Sequence, residues 1–208
     1  MVLRELGLDF ETIHLNFSEG EHKASEYTKY NPNGRIPALV DHQYNDFVVW
    51  ESCAIILYLA EKYDREHKIS AATFDEKILQ TQWVMYQTSG QGPYFGQAGW
   101  FLAVAPPEER NPTIAERYQK EILRVFSVFE SVLSQREWLV AGKCTVADIA
   151  FVIWNVVAVG LLVKDYKGFN FEKDFPSTHR WHTALINRPA IAETLRIRAE
   201  ATEQFKRQ

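Results

Sequence analysis

The sequence is poor in cysteine, which bears on both its compartment and its chemistry. Cys53 and Cys144 are the two cysteines among 208 residues. Two thiols cannot build the disulfide framework that supports small secreted domains. The start of the chain also lacks the pattern of a secretory leader, which is a basic segment, an apolar segment and a small-residue cleavage site. These features predict a cytoplasmic protein.

Long apolar runs and an excess of positive charge are lacking as well. The longest apolar stretch, 149–163, is interrupted by Trp154-Asn155 and falls short of the ~20 residues that a membrane helix needs. The formal net charge is −4 and the isoelectric point is about 5.9, whereas nucleic-acid binders usually carry a basic face. We therefore expect neither a membrane nor a nucleic acid as partner.

The first 64 residues mix helical and strand patterns. Gly7 is placed to end a helix in the left-handed conformation, and Asn31-Pro32 ends another because a residue before proline avoids the helical region. Ile13, Leu15 and Phe17 alternate with polar residues, as in a strand. The predicted elements are a helix over 2–6, a strand over 12–17, a helix over 25–30, strands over 36–41 and 47–50, and a helix over 51–63.

After a polar linker at 65–72, only helical patterns follow. Thr73 and Glu76 form a capping box at the start of a long helix, and the glycines and proline of 89–93 predict a kink in it. Further helices are predicted to begin at Asn111-Pro112, Thr145, Pro176 and Pro189. Thr145 and Asp148 have the spacing of a second capping box, in which loss of either partner costs about 1 kcal/mol or more. This organisation predicts domains at 1–64 and 73–208.

Five stretches of the chain carry a family resemblance. They are Gly20-Glu-His-Lys-Ala-Ser-Glu-Tyr, Asn31-Pro-Asn-Gly-Arg-Ile-Pro-Ala-Leu-Val, Trp50-Glu-Ser-Cys-Ala-Ile, Ser89-Gly-Gln-Gly-Pro-Tyr-Phe-Gly-Gln-Ala and Leu139-Val-Ala-Gly-Lys-Cys-Thr-Val-Ala-Asp-Ile-Ala. In this order they resemble the glutathione transferase superfamily, and within it the fungal branch related to a nitrogen-catabolite regulator that can form a prion. The resemblance implies an α+β thioredoxin-like N-terminal lobe followed by an all-α C-terminal lobe.

The resemblance also implies a glutathione site in the N-terminal lobe. A cis bond at Ile36-Pro37 would offer the backbone of Ile36 to the cysteinyl part of glutathione, while an ordinary trans proline is the alternative. At the following helix start, Ser52 and free N–H groups suit the γ-glutamyl carboxylate, and Glu51 suits its ammonium group. Glu51 could instead be an ordinary first-turn acid, and Arg35 a solvated surface residue. The implied ligand residues are His22, Arg35, Ile36, Pro37, Glu51 and Ser52.

The other candidate residues have less specific signals for binding or catalysis. The aromatic residues of the kinked helix line an electrophile pocket or are simply core; they are Tyr86, Tyr94, Phe95, Trp100 and Phe101. His179 and His182 have helical spacing but no third ligand nearby, so a solvated helix face is expected and no metal. Cys53 is expected in a small buried position behind Ser52, which leaves a metal or redox function without a site.

The chain departs from the family pattern at its beginning. The family's first strand and the loop residue that activates the glutathione thiol would both lie before Met1, so the catalytic residue is not assigned. The expected function is a cytoplasmic, homodimeric detoxification enzyme that conjugates glutathione to small hydrophobic electrophiles. The alternative is a non-catalytic regulator or ligand-binding protein of the same fold, inactive because the first strand is absent.

Overall fold

The structure, a computed structural model, describes residues 1–205. The N-terminal part contains α1 (Val2–Glu5), α2 (Ser25–Thr28), β1 (Ala38–Asp41), β2 (Phe47–Trp50) and α3 (Ser52–Tyr63). The remaining helices are α4 (Phe74–Tyr86), α5 (Gly92–Gly99), α6 (Pro112–Leu133), α7 (Val146–Ile149), α8 (Val152–Val157), α9 (Phe171–Asp174), α10 (Pro176–Ile186) and α11 (Pro189–Phe205). None of the helices within 1–205 is both long and apolar enough to cross a bilayer.

The N-terminal lobe is built on an antiparallel hairpin. In its register Ala38 lies opposite Trp50, and Asp41 lies opposite Phe47. The turn uses Asn45 at φ 52° and Asp46 at φ 54°, a left-handed conformation that Asn and Asp tolerate. Helix α3 contacts both strands and buries Ile55 and Leu59 against the core. The predicted helix–strand–strand–helix order of 25–63 is confirmed.

The strand predicted over 12–17 is wrong. Within the described residues β1 and β2 pair only with each other, so residues 12–17 have no ladder to join and Ile13 is 80% exposed. Local hydrogen bonds to side chains replace sheet pairing at the end of this segment. The Asn16 side chain accepts from Ser18 N, and the Asn16 N–H donates to the Glu21 carboxylate. Asn and Ser commonly offer the backbone such an alternative to sheet pairing.

Helix α6 forms the centre of the helical lobe. Its inner face is fully buried and meets α8, α10 and the kinked α4–α5 segment through aromatic contacts. Phe129 lies edge-on to Phe151 at 4.8 Å and contacts Trp181 at 5.3 Å between ring centroids. Such edge-to-face pairs add specific geometry to the burial of apolar area.

The predicted kink between α4 and α5 is a π-helical turn over Gln87–Gln91. A Cβ at Gly90 would lie 2.8 Å from the ring of Tyr86, so only glycine allows this close approach. Proline at Pro93 removes a backbone donor just beyond the turn. Two further π turns, over Trp100–Val104 and Ala158–Leu162, were not foreseen from the sequence.

Helix caps occur where the sequence predicts them. The Thr73–Glu76 and Thr145–Asp148 capping boxes are both present, and the Asn111 side chain accepts from Thr113 N and Ile114 N. These caps satisfy N–H groups that have no acceptor within their own helix.

The carboxylate of Asp148 extends its capping box into the core. It accepts from Thr145 N at 2.8 Å, Leu139 N at 3.0 Å and Trp181 Nε1 at 2.9 Å, and also from the Thr145 hydroxyl. Burial raises the pKa of Asp148, while these hydrogen bonds act in the opposite direction. The side chain therefore joins the loop before α7 to α10.

Several contacts join the lobes and the linker, and two of them involve α1 and the linker. Arg188, before α11, makes a bidentate ion pair with Glu5 of α1, with both N···O distances at 2.7 Å. At the other contact, Val146 N at the start of α7 donates to Ile69 O of the linker at 2.8 Å. A half-buried bidentate pair is geometrically specific, so α1 is held against the helical lobe.

We predict that Asp148→Ala lowers the free energy of unfolding by at least about 3 kcal/mol. The substitution leaves three buried N–H donors without an acceptor, and each costs about 1–3 kcal/mol. Urea unfolding monitored by circular dichroism measures the change. Asp165→Ala, at an exposed loop position, is the control and should stay within about 0.5 kcal/mol of the wild type. Equal stability of the two variants would contradict the structural role of Asp148.

Candidate functional site

The hairpin register brings two predicted ligand segments together. Because Ala38 pairs with Trp50, the residues before β1 lie beside the residues that follow β2. Neighbouring strands are about 4.8 Å apart, so Ile36-Pro37 and Glu51-Ser52 form one edge of the lobe. The Ile36-Pro37 bond is cis, as predicted, and Ile36 is 55% exposed.

The start of α3 presents unpaired donors at this edge. Glu51 has φ 69° and ψ 119°, a conformation rare for a residue with a side chain, and its carbonyl accepts from Ile55 N at 2.9 Å. The first-turn N–H groups of a helix lack intrahelical acceptors and lie at the positive end of its dipole. Glu51 and Ser52 are both exposed. This edge can therefore bind a carboxylate together with a neighbouring ammonium group.

The loop before Ile36 is held by side chains that the sequence reasoning missed. The carbonyl of Arg35 accepts from Tyr27 Oη at 2.7 Å and Asn31 Nδ2 at 2.5 Å, and Asn31 Oδ1 accepts from Asn33 N at 3.0 Å. Asn31 is 1% exposed, whereas the Arg35 side chain is exposed. The Asn-Pro-Asn-Gly run was the available signal, since Asn side chains fold back onto nearby backbone in such turns.

His22 lies close behind this loop. Its ring stacks on Phe17 with the centroids 4.4 Å apart, and its buried Nδ1 has no hydrogen-bond partner in the described part of the chain. Gly34 has φ +59°, and a Cβ on it would lie 2.9 Å from the His22 carbonyl oxygen. Glycine thus allows His22 and Arg35 to flank the same loop.

The predicted aromatic pocket residues separate into two groups. Phe95 is fully buried against Phe126 and Trp154, and Tyr86 contacts Trp83 and Phe129 in the core. Phe95 is therefore a core residue whose ring no ligand can reach, whereas Tyr86 is half-buried and packs against the core. The others are accessible: Trp100 is 41% exposed, Tyr94 is half-buried, and Phe101 stacks on Tyr118.

Of the remaining titratable candidates, Cys53 is buried as predicted and His179 is half-buried, but the predicted solvated helix face is wrong at His182, which is 6% exposed. Desolvation raises the pKa of the Cys53 thiol to about 11 and lowers the pKa of His182 to about 4. At neutral pH Cys53 is a protonated thiol and His182 is a neutral ring. Among residues 1–205 no group of three or more His, Cys, Asp or Glu side chains could hold a metal ion.

One cleft of about 430 Å³ lies away from this edge, between the end of α3, the linker and α4. It is lined by Asp64, Lys77 and Gln80 among others, and by none of the predicted ligand residues. The carboxylate of Asp64 already accepts from the backbone of Lys68 and Ile69. The cleft therefore belongs to the junction of the lobes rather than to the candidate site.

Family models match both lobes. The model for "Glutathione S-transferase, N-terminal domain" matches residues 1–61, and the model for the corresponding C-terminal domain matches residues 93–189. Glutathione S-transferase 2 of Schizosaccharomyces pombe is 42% identical over 98% of this chain and 91% of its own length. Protein URE2 of Eremothecium gossypii is 36% identical over 94% of this chain and 63% of its own length.

Solved structures agree with the sequence relatives. The crystal structure of the glutathione transferase URE2P5 from Phanerochaete chrysosporium has 75% identity and a TM-score of 0.96, covering 99% of this chain and 90% of that one. The same protein cocrystallised with 1-(S-glutathionyl)-2,4-dinitrobenzene has a TM-score of 0.92 at 74% identity, covering 98% and 89% of the two chains. The resemblance inferred from the motifs, including its fungal branch, is confirmed.

We predict that Gly34→Ala destabilises the protein more than Gly20→Ala does. Both glycines have positive φ, so both variants carry the cost of about 1–2 kcal/mol for a left-handed residue with a Cβ. Only at position 34 does the new Cβ meet backbone, because Gly20 has no atom within 4 Å of that position. Urea unfolding of the two variants measures the difference, and equal losses would show that the His22 contact is unimportant.

Proposed function

Because this chain belongs to the glutathione S-transferase family, we propose that it binds glutathione and conjugates its thiol to small hydrophobic electrophiles. The observation that carries the proposal is the edge formed by the cis Ile36-Pro37 bond and the exposed start of α3. The family models that match both lobes support it. We further propose that residues 1–64 form the glutathione-binding domain, that 73–208 form the helical domain, and that the protein acts in cytoplasmic detoxification.

The proposed ligand contacts follow from the chemistry of the edge. The γ-glutamyl carboxylate accepts from the Ser52 hydroxyl and the first N–H groups of α3, and Glu51 accepts from the ligand's ammonium group. The backbone of Ile36, before Pro37, pairs with the cysteinyl unit. His22 and Arg35 meet the carboxylate at the glycine end. We assign no residue of this chain to activation of the thiol.

The proposed electrophile pocket is formed by Tyr94 and Trp100, without Phe95. In the reaction the glutathione thiol loses its proton to solvent, its sulfur bonds to the electrophilic carbon, and the leaving group departs with its electron pair. The URE2P5 complex with 1-(S-glutathionyl)-2,4-dinitrobenzene supports this substrate class, since that ligand is a conjugate of glutathione with an aromatic ring.

A non-catalytic regulator or ligand-binding protein is the second candidate, favoured by the 36% identity to Protein URE2. The two candidates differ in turnover and not in glutathione binding. A steady-state assay with glutathione and 1-chloro-2,4-dinitrobenzene separates them, because only an active transferase releases chloride and forms the thioether faster than the uncatalysed background reaction.

We predict that Ser52→Ala weakens glutathione binding about tenfold. A hydrogen bond to a charged group contributes about 1.5 kcal/mol, which corresponds to roughly a tenfold change in Kd. Isothermal titration calorimetry with glutathione measures the effect. Ser127→Ala on α6 is the control, because the Ser127 hydroxyl bonds only its own helix at Leu123 O. Equal affinity of Ser52→Ala and wild type, or no binding by the wild type, would overturn the assignment.

We also propose that the protein is a homodimer that pairs through α4. Apolar side chains on the outer face of this helix are largely exposed: Phe74 is 76%, Ile78 54% and Met85 48% accessible. The exposed hairpin residues Tyr44 and Phe47 add apolar area in the other lobe. Contiguous apolar patches of this kind commonly mark protein interfaces.

Light scattering should therefore report about twice the chain mass of 24.1 kDa at micromolar concentration. Ile78→Glu should give a monomer, because it places a charge in the apolar contact. Leu161→Glu is the matched control, since Leu161 is 58% exposed but lies in the π turn after α8. A monomeric wild type would rule out the dimer, and a dimeric Ile78→Glu would rule out this face.

A further inference from the structure

A chain of buried amide side chains links the start of α3 to the helical lobe. Cys53 Sγ donates to Gln87 Oε1 at 3.1 Å, Gln87 Nε2 donates to Gln91 Oε1 at 3.3 Å, and Gln91 Nε2 donates to Asn155 Oδ1 at 2.8 Å. All four residues are buried, and Gln91 and Asn155 have no exposed surface. The chain connects α3, the π turn and α8.

Every hydrogen bond in this chain points the same way. Cys53 is the first donor, and its thiol is protonated because burial raises its pKa to about 11. Each amide accepts through oxygen and donates through nitrogen, so the orientation of one amide fixes the next. The last donor, Asn155 Nδ2, is buried and has no hydrogen-bond partner among residues 1–205.

The unpartnered nitrogen argues against a purely stabilising role. Burying a polar group without a hydrogen bond costs free energy, and apolar side chains of similar size would fill the same space without that cost. The π turn also argues for a functional role, because π turns are rare and often occur at functional sites. The π turn contacts the helix start that we propose binds glutathione, through Gln87 and Cys53, whereas Asn155 lies at the other end of the amide chain.

We propose that Gln87, Gln91 and Asn155 are positioning residues for glutathione, which act through Cys53 to hold the first turn of α3 and the Ser52 hydroxyl in place. This inference rests on the proposed function. Cys53 directly follows Ser52, so an acceptor held rigidly at Cys53 Sγ fixes the donors at the start of α3. If the chain is broken at Gln91, the Gln87 amide is free to turn away from Cys53.

The test is a double-mutant cycle on the Kd for glutathione, measured by calorimetry. Gln91→Met keeps the length of the side chain and removes its amide, and should weaken binding about fivefold, the typical effect of one neutral hydrogen bond. Gln135→Met, at an exposed position just after α6, is the matched control and should bind as the wild type does. Thermal unfolding of each variant checks the fold.

The cycle with Ser52→Ala distinguishes positioning from general destabilisation. If the amide chain acts through Ser52, adding Gln91→Met to Ser52→Ala has little further effect on the Kd, because the hydroxyl that it positions is already gone. Adding Gln91→Met to Arg35→Ala, at the glycine end, should instead multiply the two increases in Kd. Should Gln91→Met fold poorly, Asn155→Leu breaks the same chain from its far end and enters the same cycle.

Two results would overturn this inference while leaving the proposed function intact. In the first, the wild type binds glutathione and Gln91→Met has the same Kd. In the second, the loss of affinity in Gln91→Met multiplies equally with the losses in Ser52→Ala and in Arg35→Ala. A wild type that binds no glutathione overturns the proposed function, and this inference with it. The first two outcomes leave glutathione binding intact, so the two failures are distinguishable.

Discussion

The buried carboxylate of Asp148 is the constraint on which the arrangement of the two lobes depends. Its oxygens accept hydrogen bonds from the loop before α7 and from Trp181 of α10, so α7 has one position in the core. The first residue of α7 then donates to Ile69 O, and Ile69 N donates to Asp64, which ends α3. The helix that carries Ser52 is therefore anchored at its far end through consecutive hydrogen bonds.

The N-terminal end of α3, in contrast, is exposed. Glu51 and Ser52 are exposed, Glu51 has a positive φ, and the first-turn N–H groups have no acceptor within the helix. Residues held in rare backbone conformations persist where the surrounding structure fixes them, and they cluster at binding sites. The anchored end of the helix supplies that support, while the open end keeps its donors available to a ligand.

Local signals made much of this fold predictable. The caps at Thr73, Asn111 and Thr145 each depend on residues within three or four positions, so the sequence contains the whole interaction. The hairpin was predictable for the same reason, and the cis bond at Pro37 followed from the family resemblance. The motifs also singled out the Ile36-Pro37 and Glu51-Ser52 segments that the hairpin brings together, although Asn31, which holds the loop before Ile36, was overlooked.

Non-local requirements account for what failed. The alternation over 12–17 has the period of a strand, but a strand also needs a neighbour, which sequence periodicity does not test. The aromatic character of Phe95 and Trp100 does not tell them apart in the sequence, and only the packing against Phe126 places Phe95 in the core. Spacing identifies a face of a helix, whereas contacts from distant elements decide whether that face is open.

The two buried polar networks show why glutamine and asparagine are the hardest residues to interpret from sequence. An aspartate three residues after a threonine indicates a cap, but Gln91 resembles a solvated residue until the π turn directs it inward to Asn155, 64 positions away. The networks also differ in their energetics. Asp148 accepts bonds from several donors and stabilises the frame, whereas the amide chain ends on the unpartnered nitrogen of Asn155. A fold selected for stability alone would keep a fully bonded network such as that of Asp148, and would have apolar side chains in place of the amide chain. The amide chain is therefore better explained by the position it imposes on the start of α3 than by the stability it contributes.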